Sequence, residues 1–228
     1  MLLHIPNLLS EEQLAAVRHC LAAEQAPWVD GRVTAGHQGA PVKQNQQIDE
    51  ASPLTRELGA VILAELERNA LFISAVLPHR VYPPLFNRYG EGMHFGSHID
   101  GAVRTIPGSS QKLRTDLSAT VFLSSPDSYE GGELIIDNAF GSEGIKLASG
   151  HMIVYSSTSP HRVSPVTRGV RLACVFWIQS LIRDDFKRAQ LFELDRTIQH
   201  LTELKSDQES LVRLAGHYHN LLRLWTEI

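Results

Sequence analysis

Apolar positions recur along this chain with two different periods, and the change of period divides it into three parts. From Ser10 onward Leu14, Val17 and Leu21 form a stripe at helical spacing, and Ser10 with Gln13 three residues later predicts a capping box. A second helix is expected from Ser52-Pro53, with Pro at the first helical position and Leu54, Leu58, Val61, Ile62 and Leu66 buried. A polar, Gly-containing stretch from Gly31 to Asp49 separates the two. From Leu71 to Ser180 short apolar runs alternate with Gly and Pro punctuation. Strands are predicted at 71–76, 85–89, 115–123, 133–136, 144–147, 151–155 and 170–179. After Ser180 the period is helical again. Leu191, Leu194, Ile198 and Leu201 make one stripe, and Leu211, Leu214, Tyr218, Leu222 and Trp225 another behind a capping box at Ser206-Asp207-Gln208-Glu209.

The number and length of the central strands predict a mainly β protein, an antiparallel double sheet such as a jelly roll, with flanking helices. We expect an N-terminal helical part over residues 1–79 that packs on the barrel, a central domain over 80–180, and a C-terminal helical hairpin over 181–228. The hairpin must bury its stripe, on the barrel as the favoured arrangement or on a second subunit as a homodimer.

Composition narrows the partners. The chain has 228 residues, 43% of them hydrophobic and 20% charged, enough for a full core. A net charge of −4 and a pI of 6.2 argue against broad nucleic-acid affinity, which depends on neutralising phosphates. The two cysteines, Cys20 and Cys174, make no disulfide framework, and Cys174 sits in an apolar run as a small hydrophobe. Met1-Leu2-Leu3-His4-Ile5-Pro6 lacks the basic start and long apolar core of a signal peptide, and no segment reads as a membrane span. The expectation is a cytoplasmic protein.

Candidate chemistry begins at His98-Ile99-Asp100. On an extended strand residues i and i+2 share a face, so both side chains can reach one metal ion. His161 would complete two histidines and a carboxylate, the facial set of non-haem Fe(II) oxygenases. Arg171 opens a strand on the face of Ala173, Val175 and Trp177; an arginine on an inward apolar face needs an anion. The far carboxylate of 2-oxoglutarate suits it. Each of these residues is expected at a strand end. Other histidines read as structural: His94 has helical, not strand, spacing to His98, His151 reads as a turn residue, and His217 and His219 diverge around a helix.

The motifs Tyr89-(8 residues)-His98-x-Asp100, Gly131-Gly132-Glu133-Leu134, Tyr155, His161-Arg162-Val163, Pro165-Val166 and Gly169-x-Arg171 together resemble the prolyl-4-hydroxylase-like Fe(II)/2-oxoglutarate oxygenases. Within them the chain resembles the PKHD-type hydroxylases. The resemblance implies a double-stranded β-helix with Fe(2+) held by His98, Asp100 and His161, and 2-oxoglutarate on Arg171. It also implies a hydroxylation of a small molecule or peptide using O2, with succinate and CO2 as co-products and L-ascorbate to keep iron reduced. Tyr89 is either core packing or, as in relatives, a neighbour of the co-substrate. The Gly131-Gly132 turn and Glu133 read as structural. A role in bacterial iron uptake follows from the family alone.

Substrate contacts are sought in residues 101–114, which follow the first two ligands directly. Arg104, Lys112 and Arg114 would make this segment a basic lid for an acidic peptide or anionic small molecule, or leave it an ordinary solvated loop. Two other functions compete: a cupin-like metalloenzyme without 2-oxoglutarate, which leaves Arg171 without a purpose, and a non-catalytic iron-responsive or partner-binding protein.

Overall fold

The computed structural model describes all 228 residues, and its core is a pair of antiparallel sheets packed face to face. The larger sheet runs Leu2–Ile5, Met152–Ser156, Leu117–Phe122, Arg171–Ser180, Leu85–Tyr89, Gln46–Ile48 and Trp28–Asp30, with Pro78–Val81 also paired to Arg171–Ser180. The smaller runs Gly141–Ile145, Leu134–Asn138, His161–Val163, His94–His98 and Lys43–Gln44. This is the jelly roll that the strand pattern predicts.

The larger sheet is buried on both faces, and alternation assigns each face. Leu117, Ala119 and Val121 with Cys174, Phe176 and Ile178 point outward into a cluster of 22 buried residues. Helices Glu11–Ala22 and Pro53–Arg68 cover that face with Leu14, Val17, Leu21, Leu58, Ile62 and Leu66. Ser10 closes the expected capping box with Gln13, and Ser52 caps Thr55. The other face looks into the barrel, where Tyr89, Phe122, Leu134, Ile153, Tyr155 and Val163 form a second cluster.

Three expectations are corrected. Residues 70–76 form a helix, not a strand: the Asn69 side chain accepts from Phe72 N–H, Phe72, Ala75 and Val76 are buried at helical spacing, and Leu77 ends the turn with φ 48°. A short apolar run is ambiguous in period, and the cap decided it. The polar stretch 31–49 contributes strands to both sheets as well as short helical turns, so the first 79 residues are not simply helical. The last helix, Gln208–Trp225, is capped by Asp207 accepting from Ser210 N–H rather than by Ser206.

The C-terminal hairpin, Asp185–Glu203 and Gln208–Trp225, packs on the barrel end. Leu191 joins Leu77 and Ile182, with Tyr218, Leu221, Leu222 and Trp225 against them. Arg188, 1% exposed, ties the junction by donating to the Ile182 carbonyl (2.7 Å) and pairing with Asp185. No helix is long and apolar enough to cross a membrane.

Candidate metal and co-substrate site

Strand ends at the barrel mouth bring His98, Asp100 and His161 together. His98 closes the strand His94–His98, and His161 opens the neighbouring strand and sits directly opposite it in the register. Asp100 lies just past the first strand. Its Oδ1 is 3.9 Å from His98 Nε2 and its Oδ2 is 3.6 Å from His161 Nε2, and the three donor atoms all lie within 4.8 Å of one another.

The surrounding hydrogen bonds aim these atoms inward. A carbonyl oxygen can only accept, so His98 Nδ1–H donates to Gly96 O (2.8 Å) and His161 Nδ1–H to Ser159 O (3.0 Å). Both Nε2 atoms are left with free lone pairs, the tautomer a metal ligand requires. Ser118 Oγ–H donates to Asp100 Oδ2 (2.6 Å) and lies 2.7 Å from Ser157 Oγ, which fixes the carboxylate. The Phe95 ring stacks on His98 at 3.6 Å. Burial, reinforced by His161, holds His98 down to about 4, so it stays neutral at physiological pH. The donor set fits Fe(II).

These residues line a cavity with about 750 Å³ of non-atom space, part of it open to solvent at the mouth. Arg171 is 2% exposed on its wall, in register with Tyr89. Its guanidinium lies 5.2 Å from the Tyr89 ring and 5.6 Å from Phe122, makes no ion pair, and keeps Nε buried without a partner. An unpaired buried cation in a cavity is the signature of a site that expects an anion. Tyr89 is both core and cavity wall, and burial raises its phenol to about 12.

The Gly131-Gly132 turn does more than reverse the chain. Gly132 has φ 62°, and a Cβ there would meet Arg171 Cδ at 3.1 Å and Tyr129 and Val166 at 3.0 Å each. Glycine is needed for both the left-handed backbone and the room beside Arg171.

Residues 101–114 fold into a two-stranded hairpin, Val103–Thr105 with Lys112–Arg114. Of its three basic residues only Arg104 lines the cavity. Lys112 is exposed away from it, and Arg114 is committed to Asp116 (2.7 Å) and Glu227 (3.4 Å). Lys112 and Arg114, expected with Arg104 to contact substrate, do not line this cavity. Charge within a loop gives no hint of which side chains turn inward. Lys43 is the cavity cation that the sequence did not single out; it lies in the polar stretch and is 7% exposed. Burial, with Arg104 nearby, pushes its ammonium down to about 8. Ser118 carries only a faint sequence signal: with Thr120 it interrupts an apolar strand at period two. The remaining histidines stay outside the site: His151 bonds His4 (2.9 Å) and Asn7 (3.1 Å).

Residues 84–179 match the 2OG-Fe(II) oxygenase superfamily, and residues 185–227 match the PKHD-type hydroxylase C-terminal domain. The chain is 60% identical over 227 residues to a PKHD-type hydroxylase of Burkholderia ambifaria, with 100% of both chains covered. It is 58% identical over 227 residues to one of Cupriavidus metallidurans, again with 100% of both covered. Among solved structures its fold is similar to a Pseudomonas putida prolyl-4-hydroxylase (TM-score 0.53, 19% identity, 78% of this chain and 92% of that one). It is also similar to a Trichoplax adhaerens prolyl hydroxylase in complex with a hypoxia inducible factor peptide fragment (TM-score 0.57, 16% identity, 83% and 86% covered).

Proposed function

From the premise that this chain belongs to the PKHD-type hydroxylases of the 2OG-Fe(II) oxygenase superfamily, we propose that His98, Asp100 and His161 hold its iron and Arg171 binds the far carboxylate of 2-oxoglutarate. The protein is a 2-oxoglutarate-dependent dioxygenase, with Fe(2+) and 2-oxoglutarate as its cofactors and O2 and a small molecule or peptide as its other reactants. The observation that carries the residue assignment is the convergence of three donor atoms in the cavity that also holds the unpaired Arg171.

Bound iron, with 2-oxoglutarate and O2, supplies the oxidising power that hydroxylates substrate and leaves succinate and CO2. The chain supplies placement. Gly96 O and Ser159 O lock both imidazoles with Nε2 inward, and Ser118 holds Asp100 in its facing rotamer. Arg171 offers a planar fork to a carboxylate, with Tyr89, Phe122 and Tyr129 around it to exclude water. Tyr89 orients the co-substrate by packing beside that fork.

Anaerobic addition of Fe(II) and then 2-oxoglutarate tests this reading through the visible charge-transfer band of the chelated keto acid. Wild type develops the band, His98→Ala loses it, and Arg171→Met needs far more 2-oxoglutarate. An iron-loaded wild type without a band overturns the assignment. The reading extends to ascorbate as iron reductant, a cytoplasmic location and a role in bacterial iron uptake, all supported by the family resemblance. Poor growth under iron limitation of a strain carrying only the His98→Ala allele is the expected result for the last.

A further inference from the structure

Besides Arg171, the cavity wall carries two more cations, and neither has a carboxylate partner. Lys43 lies on the edge strand of the smaller sheet, in register with Phe95. Its stem is buried and its ammonium stands 5.1 Å from the Phe95 ring, the same ring that stacks on His98. That ammonium makes no hydrogen bond and no ion pair. Arg104 arrives from the hairpin 103–114. Its guanidinium lies 3.8 Å over Trp177 and 5.0 Å from Tyr82, one Nη donates to Thr34 O (3.2 Å), and Nε is buried without a partner. Aromatic faces orient both cations but do not neutralise them.

A count of charge shows what is missing. The only carboxylate on the cavity wall is Asp100. The two charges of Fe(II), Asp100, the two carboxylates of 2-oxoglutarate and Arg171 cancel among themselves. Lys43, buried, and Arg104, half-buried, are left over, with Asp30 acting on Lys43 only from beyond contact distance, and unpaired charge in a partly desolvated space is unfavourable. Each sits on an edge strand or hairpin that reaches the cavity.

Resting on the proposed iron and co-substrate site, we infer that Lys43 and Arg104 form an anion subsite for the substrate, so that the molecule hydroxylated carries a carboxylate or phosphate held beside the iron. Such a subsite orients the substrate through one charged group and leaves the C–H bond to be oxidised free to face the metal. It also rejects neutral analogues, since these would leave both cations unpaired.

The test uses the anaerobic protein–Fe(II)–2-oxoglutarate complex, titrated calorimetrically with benzoate, phenyl phosphate and, as the neutral control, benzamide. We expect saturable binding of one or both anions, none of benzamide, and at least roughly tenfold weaker anion binding in Lys43→Met and Arg104→Met. Whichever anion binds more tightly identifies the group. The 2-oxoglutarate concentration that develops the charge-transfer band is expected to stay unchanged in both variants, and Lys43→Arg is expected to retain anion binding. Equal anion binding in wild type and variants, or no anion binding to wild type, overturns the inference while leaving the oxygenase site intact. A raised 2-oxoglutarate requirement in the variants also overturns it, by assigning both cations to the co-substrate. Loss of the band in wild type is the separate failure of the underlying site. Should Lys43→Met not fold, Arg104→Met and Lys43→Arg still decide.

Discussion

The two faces of the larger sheet are built from the same strands and do opposite things. Outward, Leu117, Ala119, Val121, Cys174, Phe176 and Ile178 meet two helices in an apolar cluster of 22 buried residues. Inward, one residue along, Ser118, Thr120, Arg171 and Trp177 line a cavity whose cations are not matched by carboxylates. A pleat alternates side chains strictly, so one strand can put stability on one face and chemistry on the other. The outer face is complete as it stands. The inner face keeps charged side chains without ion-pair partners.

Substitutions on the two faces should therefore separate stability from ligand binding. The largest effect is expected at Phe176, 1% exposed: Phe176→Ala should lower the unfolding free energy by about 3–5 kcal/mol in a denaturant titration. A loss below about 1 kcal/mol would contradict the assignment of stability to that face. Next comes the acid response of metal-free protein. His98 titrates near 4 in the fold against an ordinary value of 6.5. Between these values the unfolded chain takes up a proton that the native state refuses, so stability falls as pH drops from 6.5 towards 4. The loss is up to about 3 kcal/mol. Comparing chelator-treated wild type with His98→Gln isolates it, the variant giving the flatter pH profile.

Smaller effects sharpen the contrast from the inner side. Ser118→Ala removes the donor to Asp100 Oδ2 and should weaken Fe(II) binding roughly 10- to 100-fold, read by competition with a chelator. The smallest stability change is expected for the most deeply buried charge of the cavity. Arg171→Met should leave the unfolding free energy of ligand-free protein unchanged or raise it by about 1 kcal/mol, even as it raises the 2-oxoglutarate requirement. Marked destabilisation would make Arg171 a structural residue.

Much of this architecture is legible in the amino-acid sequence. The helical stripes at 14–21 and 54–66, both caps at Ser10 and Ser52, and most strands of the barrel follow from local periodicity and capping chemistry. The positions of His98, His161 and Arg171 at strand ends are also readable, because turn residues flank each of them. Elsewhere local signals mislead. The run 71–76 has no period that separates strand from helix, and its cap at Asn69 decides for helix. The basic residues of 101–114 look alike in sequence, yet one faces the cavity, one faces solvent and one is held by Asp116 and Glu227.

What the sequence determined by itself is what neighbouring residues settle among themselves: caps, periods, turns, and which residues of a strand share a face. Only the tertiary structure decided which faces meet. Lys43 reaches the cavity of His98, Asp100 and His161 because its short strand pairs with 94–98, and Ser118 reaches Asp100 because separate strands close one barrel mouth. The physical reason is that local preferences act over a few residues, whereas the cavity's charge balance is a sum over side chains brought together by long-range strand pairing.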